Sequence, residues 1–161
     1  MGIDEIRELR EVDPERYWRE LLDLVEDFPD KVELRVEAAY AFDAAGDGEE
    51  AMAHYDAAWK LGIDDGYQPD FSLSYGNLLS SAGRHEEALA ILGEANQSHP
   101  DYLPLIVILG LALHQAGHHR AAVANLLEAV LTLSSDSDAL DGYDAALTTL
   151  QRELLSEELD S

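Results

Sequence analysis

The spacing Gly-x4-Ala-x6-Ala occurs three times in the chain and limits the fold more than any other sequence feature. Small and large apolar residues also recur at fixed distances from each glycine, so six positions agree in size and polarity. The second and third copies lie 34 residues apart, and the first and second lie 37 apart. A period of this length is typical of solenoids built from stacked supersecondary units. The copies are Gly46, Ala51 and Ala58; Gly83, Ala88 and Ala95; and Gly117, Ala122 and Ala129.

The residues around each glycine predict a helix hairpin. Apolar residues recur at helical spacing before the glycine, as in "VEAAYAF" and "VILGLAL". Glycine can end that helix because a left-handed conformation costs it little. The next helix starts at once, and in "DGEEA" Asp47 is a candidate N-cap with Glu50 three residues later. Small residues at Ala39, Gly76 and Gly110 leave room for a large apolar side chain from the partner helix.

This pattern resembles the tetratricopeptide repeat (TPR) family, whose 34-residue units are helix-turn-helix hairpins. The resemblance covers residues 32–134, and Pro100 ends the second copy as proline often does in this family. It implies an all-α fold, a right-handed superhelix (solenoid) of about four helix-turn-helix units plus a C-terminal capping helix. It also implies a small TPR protein of the bacterial type that binds other proteins and is not an enzyme.

We expect one TPR domain over residues 1–161. A degenerate helix pair comes first, because Asp13 and Pro14 can begin a helix that stops before Pro29. One long amphipathic helix comes last, with an apolar stripe from Leu140 to Leu154 and an acidic outer side that suits the end of a solenoid. The expected boundaries are residues 1–30 for the degenerate pair, 32–63, 68–101 and 102–134 for three repeats, and 136–158 for the capping helix.

The charge of the chain limits its class of partner. It has 34 acidic and 10 basic residues and a net charge of -24. Nucleic acids and anionic membrane surfaces attract proteins with a cationic face, so we expect neither as a partner. Neutral or basic proteins are favoured instead.

The sequence lacks the features of a membrane span or a secretory signal. Its most apolar stretch, "YLPLIVILGLAL", is about half the length of a span. The N-terminal stretch "MGIDEIRELREV" is charged throughout, and the chain has no cysteine for disulfides. We therefore expect a cytoplasmic protein.

Histidine and acidic clusters raise the question of a metal site or a catalytic centre. In "HQAGHHR" a glycine breaks the helix between His114 and His118, so these side chains do not share one helical face. In "SSDSDALDGYD", Asp136 and Asp138 are followed by Leu140 at the next ligand position of a calcium loop. No phosphate-binding loop or triad motif is present. We expect no metal, no cofactor and no catalytic residue.

The resemblance implies that the first helix of each repeat lines a concave, peptide-binding groove. Residues spaced i, i+4, i+7 and i+8 share one face of each helix. No Lys or Arg lies on these faces, which argues against the carboxylate clamp of chaperone-binding TPR proteins. The expected groove residues are Val36, Tyr40 and Asp43; Leu73, Asn77 and Ser81; and Val107, Leu111 and His114, with Ala44, Ser80 and Gln115 on the same faces.

Two hypotheses about function follow. The first is a non-enzymatic scaffold or adaptor that binds a neutral or basic, partly apolar peptide, with Tyr40 and Leu111 as apolar anchors, Asn77 bonding the peptide backbone and Asp43 selecting charge. The second starts from the first helix of the third copy, which is apolar nearly all round and must be covered. The C-terminal helix, a partner peptide or a second protomer could cover it, and the last would make the chain a self-assembling homodimer.

Overall fold

The computed structural model describes residues 2–135 and 138–159, and the side chains of residues 2–135 and 138–156. Every regular element in these residues is helical, which confirms the all-α class. The helices are α1 (Ile3–Val12), α2 (Pro14–Asp27), α3 (Val32–Ala45), α4 (Gly48–Leu61), α5 (Asp70–Ser81), α6 (His85–Ser98), α7 (Leu103–Gln115), α8 (His119–Ser134) and α9 (Asp144–Leu159), with a 3-10 turn at Asp65–Tyr67.

The helices belong to two compact units, the first ending at Tyr67 and the second beginning at Gln68. In the first unit α1 packs against α2 and α3 against α4. In the second unit α5 packs against α6, α7 against α8, and α8 against α9. The predicted repeat boundaries and the right-handed superhelix stay predictions.

Three glycine turns join the helix pairs as the repeat predicts. The φ angles of Gly46, Gly83 and Gly117 are 80°, 81° and 90°, in the left-handed region. The residue after each glycine donates its N–H to the carbonyl of the large apolar residue five positions earlier, at 2.9 Å in all three turns. This bond satisfies a carbonyl that the end of the helix would leave without a partner.

Aspartate side chains cap the N-terminal ends of two helices of the first unit. The carboxylate of Asp47 accepts the N–H of Glu50 at 3.3 Å at the start of α4. The carboxylate of Asp13 accepts the N–H of Arg16 at 3.1 Å, and Pro14 is the first residue of α2. Both predicted helix starts are confirmed, because each cap satisfies an amide that has no partner within its helix.

Small residues on the first helix of a pair face large residues on the second. A Cβ atom added to Gly76 on α5 would lie 2.4 Å from Cγ of Leu92 on α6. One added to Gly110 on α7 would lie 3.0 Å from the side chain of Leu126 on α8. These distances are too short for an alanine without movement, so the small residues set how closely each helix pair can pack.

The C-terminal helix begins later than predicted. We expected one helix over residues 136–158, whereas α9 starts at Asp144. Asp141 and Gly142 have φ angles of 48° and 81°, and a residue with positive φ interrupts a right-handed helix. Leu140 therefore lies in a turn and not in the apolar stripe of α9. The expected helix start at 136 and the calcium candidate Asp136 lie outside the described residues.

Candidate functional site

Val36, expected in the groove, is fully buried and is not available to a peptide. Glu37, Ala38 and Ala39 are buried as well, and four consecutive residues point to all sides of a helix. Helix α3 is therefore covered on all sides from Val36 to Ala39. The prediction for Val36 was wrong because helical spacing identifies a face but does not show whether that face is covered.

Tyr40 and Asp43, the other two expected groove residues of α3, both meet Tyr55 of α4. Tyr40 is partly buried, and its ring packs edge-on against the Tyr55 ring at 6.0 Å between centroids. The Tyr55 hydroxyl donates to Oδ2 of Asp43 at 3.1 Å. The structure therefore brings these two residues together. One carboxylate oxygen of Asp43, however, already accepts a hydrogen bond from within the protein.

Tyr40 also lines a cleft of about 610 Å³ that α1 and α3 form within the first unit. The α1 side of this cleft carries Arg7 and Arg10, which are three residues apart on one helical face. The expected groove faces of the three repeat copies carry no Lys or Arg, and both arginines lie before the first copy. Helix α1 therefore adds two arginines to the cleft that Tyr40 lines.

These arginines bind Glu37, whose side chain is only 2% exposed. Nε of Arg7 donates to Oε2 of Glu37 at 2.8 Å, and the Tyr17 hydroxyl donates to Oε1 at 2.9 Å. A guanidinium nitrogen of Arg10 donates to the same Oε1, and this guanidinium lies 5.4 Å from the centre of the Tyr17 ring. A buried carboxylate with three donors from α1 and α2 ties three helices together.

The Glu37 cluster shifts the pKa values of its members. Burial alone would raise the pKa of Glu37, but hydrogen bonds from Arg7, Tyr17 and Arg10 outweigh it and lower the pKa below its ordinary value. Burial and the neighbouring Glu37 charge raise the pKa of Tyr17 to about 12. Glu37 is therefore ionised at neutral pH, and Tyr17 keeps its proton as a donor.

In the second unit, polar contacts join α5 and α7 at both ends. The Tyr102 hydroxyl, just before α7, donates to Asp70 at the start of α5 at 2.9 Å. Near the other ends of the two helices, the Ser80 hydroxyl donates to the side-chain oxygen of Gln115. Ser80 is buried, so it belongs to this contact and not to an open face as expected.

Six expected groove residues lie on these two joined helices, and we call them the α5–α7 face. Asn77 and Ser81 are exposed on α5, where the Ser81 hydroxyl donates to the Asn77 carbonyl at 3.0 Å. Val107 and Leu111 are 37% and 47% exposed on α7. The face consists of Leu73, Asn77, Ser81, Val107, Leu111 and His114.

The C-terminal helix covers α8 and leaves Val107 and Leu111 open. The Gln151 amide of α9 donates to the Ala124 carbonyl at 3.1 Å and to the Glu128 carboxylate at 3.0 Å, both on α8. With α9 held against α8, Val107 and Leu111 on α7 remain 37% and 47% exposed.

The described residues contain no group of three or more His, Cys, Asp or Glu side chains able to hold a metal ion. No helix among them is long and apolar enough to cross a membrane.

Paired helices with glycine turns and small-against-large packing define an all-α helical-repeat protein. A family model described as tetratrico peptide repeat matches residues 33–154. The chain therefore belongs to the TPR family, whose repeats generally mediate protein–protein interactions. No curated protein matches the chain.

Proposed function

We propose that this chain is a non-enzymatic, cytoplasmic scaffold or adaptor that binds a neutral or basic, partly apolar segment of another protein on its α5–α7 face. One observation carries the proposal: α9 packs against α8, so Val107 and Leu111 stay exposed on α7. Two apolar side chains four residues apart form a stripe that can take apolar anchors of a partner. The exposed Asn77 amide lies on α5, the helix that contacts α7, and it can bond a peptide backbone.

Charge favours a basic rather than an acidic segment. The net charge is -24, and Asp70 and Asp101 are exposed at the N-terminal ends of α5 and α7. Lys or Arg beside the apolar anchors would be attracted, whereas Asp or Glu would be repelled. Salt screens such attraction, so we expect binding to weaken as ionic strength rises.

In the first unit, Tyr40 is the remaining candidate for an apolar contact. It is partly exposed and lines the cleft of α1 and α3. Asp43 retains one carboxylate oxygen beyond its bond to Tyr55, and we propose that this oxygen selects for positive charge.

A displayed library of random peptides tests the proposal without a known partner. We expect selected peptides to combine apolar residues with Lys or Arg, and to bind Leu111→Asp protein at least about tenfold more weakly, since about 1.4 kcal/mol is tenfold in affinity. The matched control is Val123→Asp on α8, because Val123 is 50% exposed and lies outside the face. Equal binding to the wild type and to Leu111→Asp would refute the proposal.

Self-assembly is the second candidate, and exposed apolar residues on α8 and α9 favour it. They are Val123, Val130 and Leu133 on α8, and Leu150 and Leu155 on α9. The net charge opposes association of identical chains, and salt would reduce that repulsion. Light scattering with size-exclusion chromatography decides the matter: a dimer that strengthens with salt supports self-assembly, and a monomer at high concentration and high salt rules it out.

A further inference from the structure

Two histidine rings meet across the turn between α7 and α8. His114 lies in the last turn of α7, and His119 is the first residue of α8. Their Nδ1 atoms are 3.0 Å apart, and their ring centroids are 4.8 Å apart. The sequence predicted that His114 and His118 do not share a helical face, and it did not indicate the contact between His114 and His119. The Gly117 turn instead folds the start of α8 back beside the end of α7.

The distance between the two Nδ1 atoms fits chelation of a transition metal. Such metals bind imidazole nitrogen at about 2.0–2.1 Å, so two ligands at a right angle lie about 3.0 Å apart, and two at the tetrahedral angle about 3.4 Å apart. The observed separation of 3.0 Å matches the right angle. Without a metal, one proton can bridge the same atoms as an N–H···N hydrogen bond, so a metal ion would replace that proton.

We propose that His114 and His119 together bind one divalent transition-metal ion through their Nδ1 atoms. A right angle between ligands suits the square-planar or octahedral geometry of Cu²⁺ and Ni²⁺ better than the tetrahedral geometry of Zn²⁺. Mg²⁺ and Ca²⁺ are excluded because they prefer oxygen ligands. Both residues are exposed, so water can complete the coordination of the ion.

The surroundings of the pair predict a modest affinity. No group of three or more metal-binding side chains exists in the described residues, so the protein supplies two ligands. The C-terminal end of α7 favours a cation, whereas the N-terminal end of α8 and the neighbouring Arg120 oppose one. We expect a dissociation constant between about 1 µM and about 1 mM.

Calorimetric titration of the untagged chain with Ni²⁺ tests the proposal. We expect one saturable site per chain, with at least about tenfold weaker binding in His114→Gln and in His119→Gln. His118→Gln is the matched control, because His118 is also exposed but lines a separate cleft with His85. It should bind Ni²⁺ as the wild type does. All three positions are exposed, and circular dichroism checks that each variant keeps its helices.

A second measurement uses only the wild type and so does not depend on any variant. In nitrogen-detected NMR of the imidazole rings, a small amount of paramagnetic Ni²⁺ should broaden the His114 and His119 resonances before those of the other four histidines. No saturable binding up to about 1 mM Ni²⁺ would overturn the proposal and leave the pair a hydrogen bond only. Unchanged binding in both His114→Gln and His119→Gln would also overturn it.

Discussion

Replacing Arg7 and Arg10 together by methionine leaves Glu37 without either guanidinium. The Glu37 side chain is 2% exposed, and of its three donors in the described residues the Tyr17 hydroxyl alone would remain. Removing the partners of a buried charge typically costs about 3–5 kcal/mol, and we expect about 3 kcal/mol here because the cleft beside the arginines is open to water. A loss of this size is a large fraction of the about 5–15 kcal/mol that stabilises an ordinary domain.

The pH dependence of the double variant should have the opposite sign to that of the wild type. In the wild type the pKa of Glu37 is lowered, so its contribution to stability is complete above the ordinary carboxyl pKa and is lost as pH falls through the folded-state pKa. Without the arginines, burial dominates and raises the pKa of Glu37. The free-energy cost of burying ionised Glu37 is then present at neutral pH. It disappears as pH falls through the raised pKa and Glu37 becomes protonated.

Urea unfolding, followed by tryptophan fluorescence, measures the change in the free energy of unfolding of the first unit. Both tryptophans, Trp18 and Trp59, lie in the first unit, so their emission reports the unit that contains Glu37. Urea is uncharged and does not screen the ion pairs. Arg16→Met is the control, because the pair between Arg16 and Glu20 is an exposed i,i+4 contact worth about 0.3–0.5 kcal/mol.

Adding Glu37→Gln to the double variant should recover most of the lost stability, because a neutral amide costs less to bury than a carboxylate. Glu37→Gln in the wild type should instead destabilise, because it removes the charge that both arginines bind. The reasoning is refuted if the double variant unfolds at the same urea concentration as the wild type, or if Glu37→Gln fails to recover stability in the double variant.

Three further predictions concern helix packing and caps, each measured by urea unfolding followed by circular dichroism. Gly76→Ala should destabilise by about 1–3 kcal/mol, because the new Cβ lies 2.4 Å from Leu92, and an unchanged midpoint would contradict the packing argument. Gly93→Ala, inside α6, should stabilise by about 0.5–1 kcal/mol, because in the described residues the new Cβ has no atom within 4 Å beyond its own helical backbone and chain neighbours; a loss would contradict this. Asp47→Ala should destabilise by about 1 kcal/mol through loss of the bond to the Glu50 amide, and no change would show that the cap is dispensable.

Much of the fold was predictable because the repeat depends on local physics. A glycine turn, an aspartate cap and a small residue opposite a large one each depend on residues close in sequence or one period apart. Gly46 and Asp47 behave as predicted for this reason, and Gly76 makes room for a large side chain of its partner helix, which the structure identifies as Leu92. The start of α9 was missed because Leu140 continues an apolar spacing that a positive φ at Asp141 interrupts.

The candidate site was less predictable because it depends on what packs over each helix. Val36 and Leu111 occupy equivalent helical faces in sequence, yet Val36 is buried and Leu111 is exposed. The ion cluster of Glu37 joins residues 30 positions apart, and helical periodicity does not indicate which of the charged residues of α3 is buried. The pair of His114 and His119 forms across a turn, where helical periodicity gives no information.

NMR mapping tests the central claim, that the α5–α7 face binds a partner segment. A selected basic and apolar peptide is titrated into the isotope-labelled chain, and the shifts of backbone amides are followed. We predict the largest changes at Asn77, Val107 and Leu111, and their loss in Leu111→Asp but not in Val123→Asp. Largest changes on α8 and α9 instead, with Asn77 and Leu111 unmoved, would contradict the account.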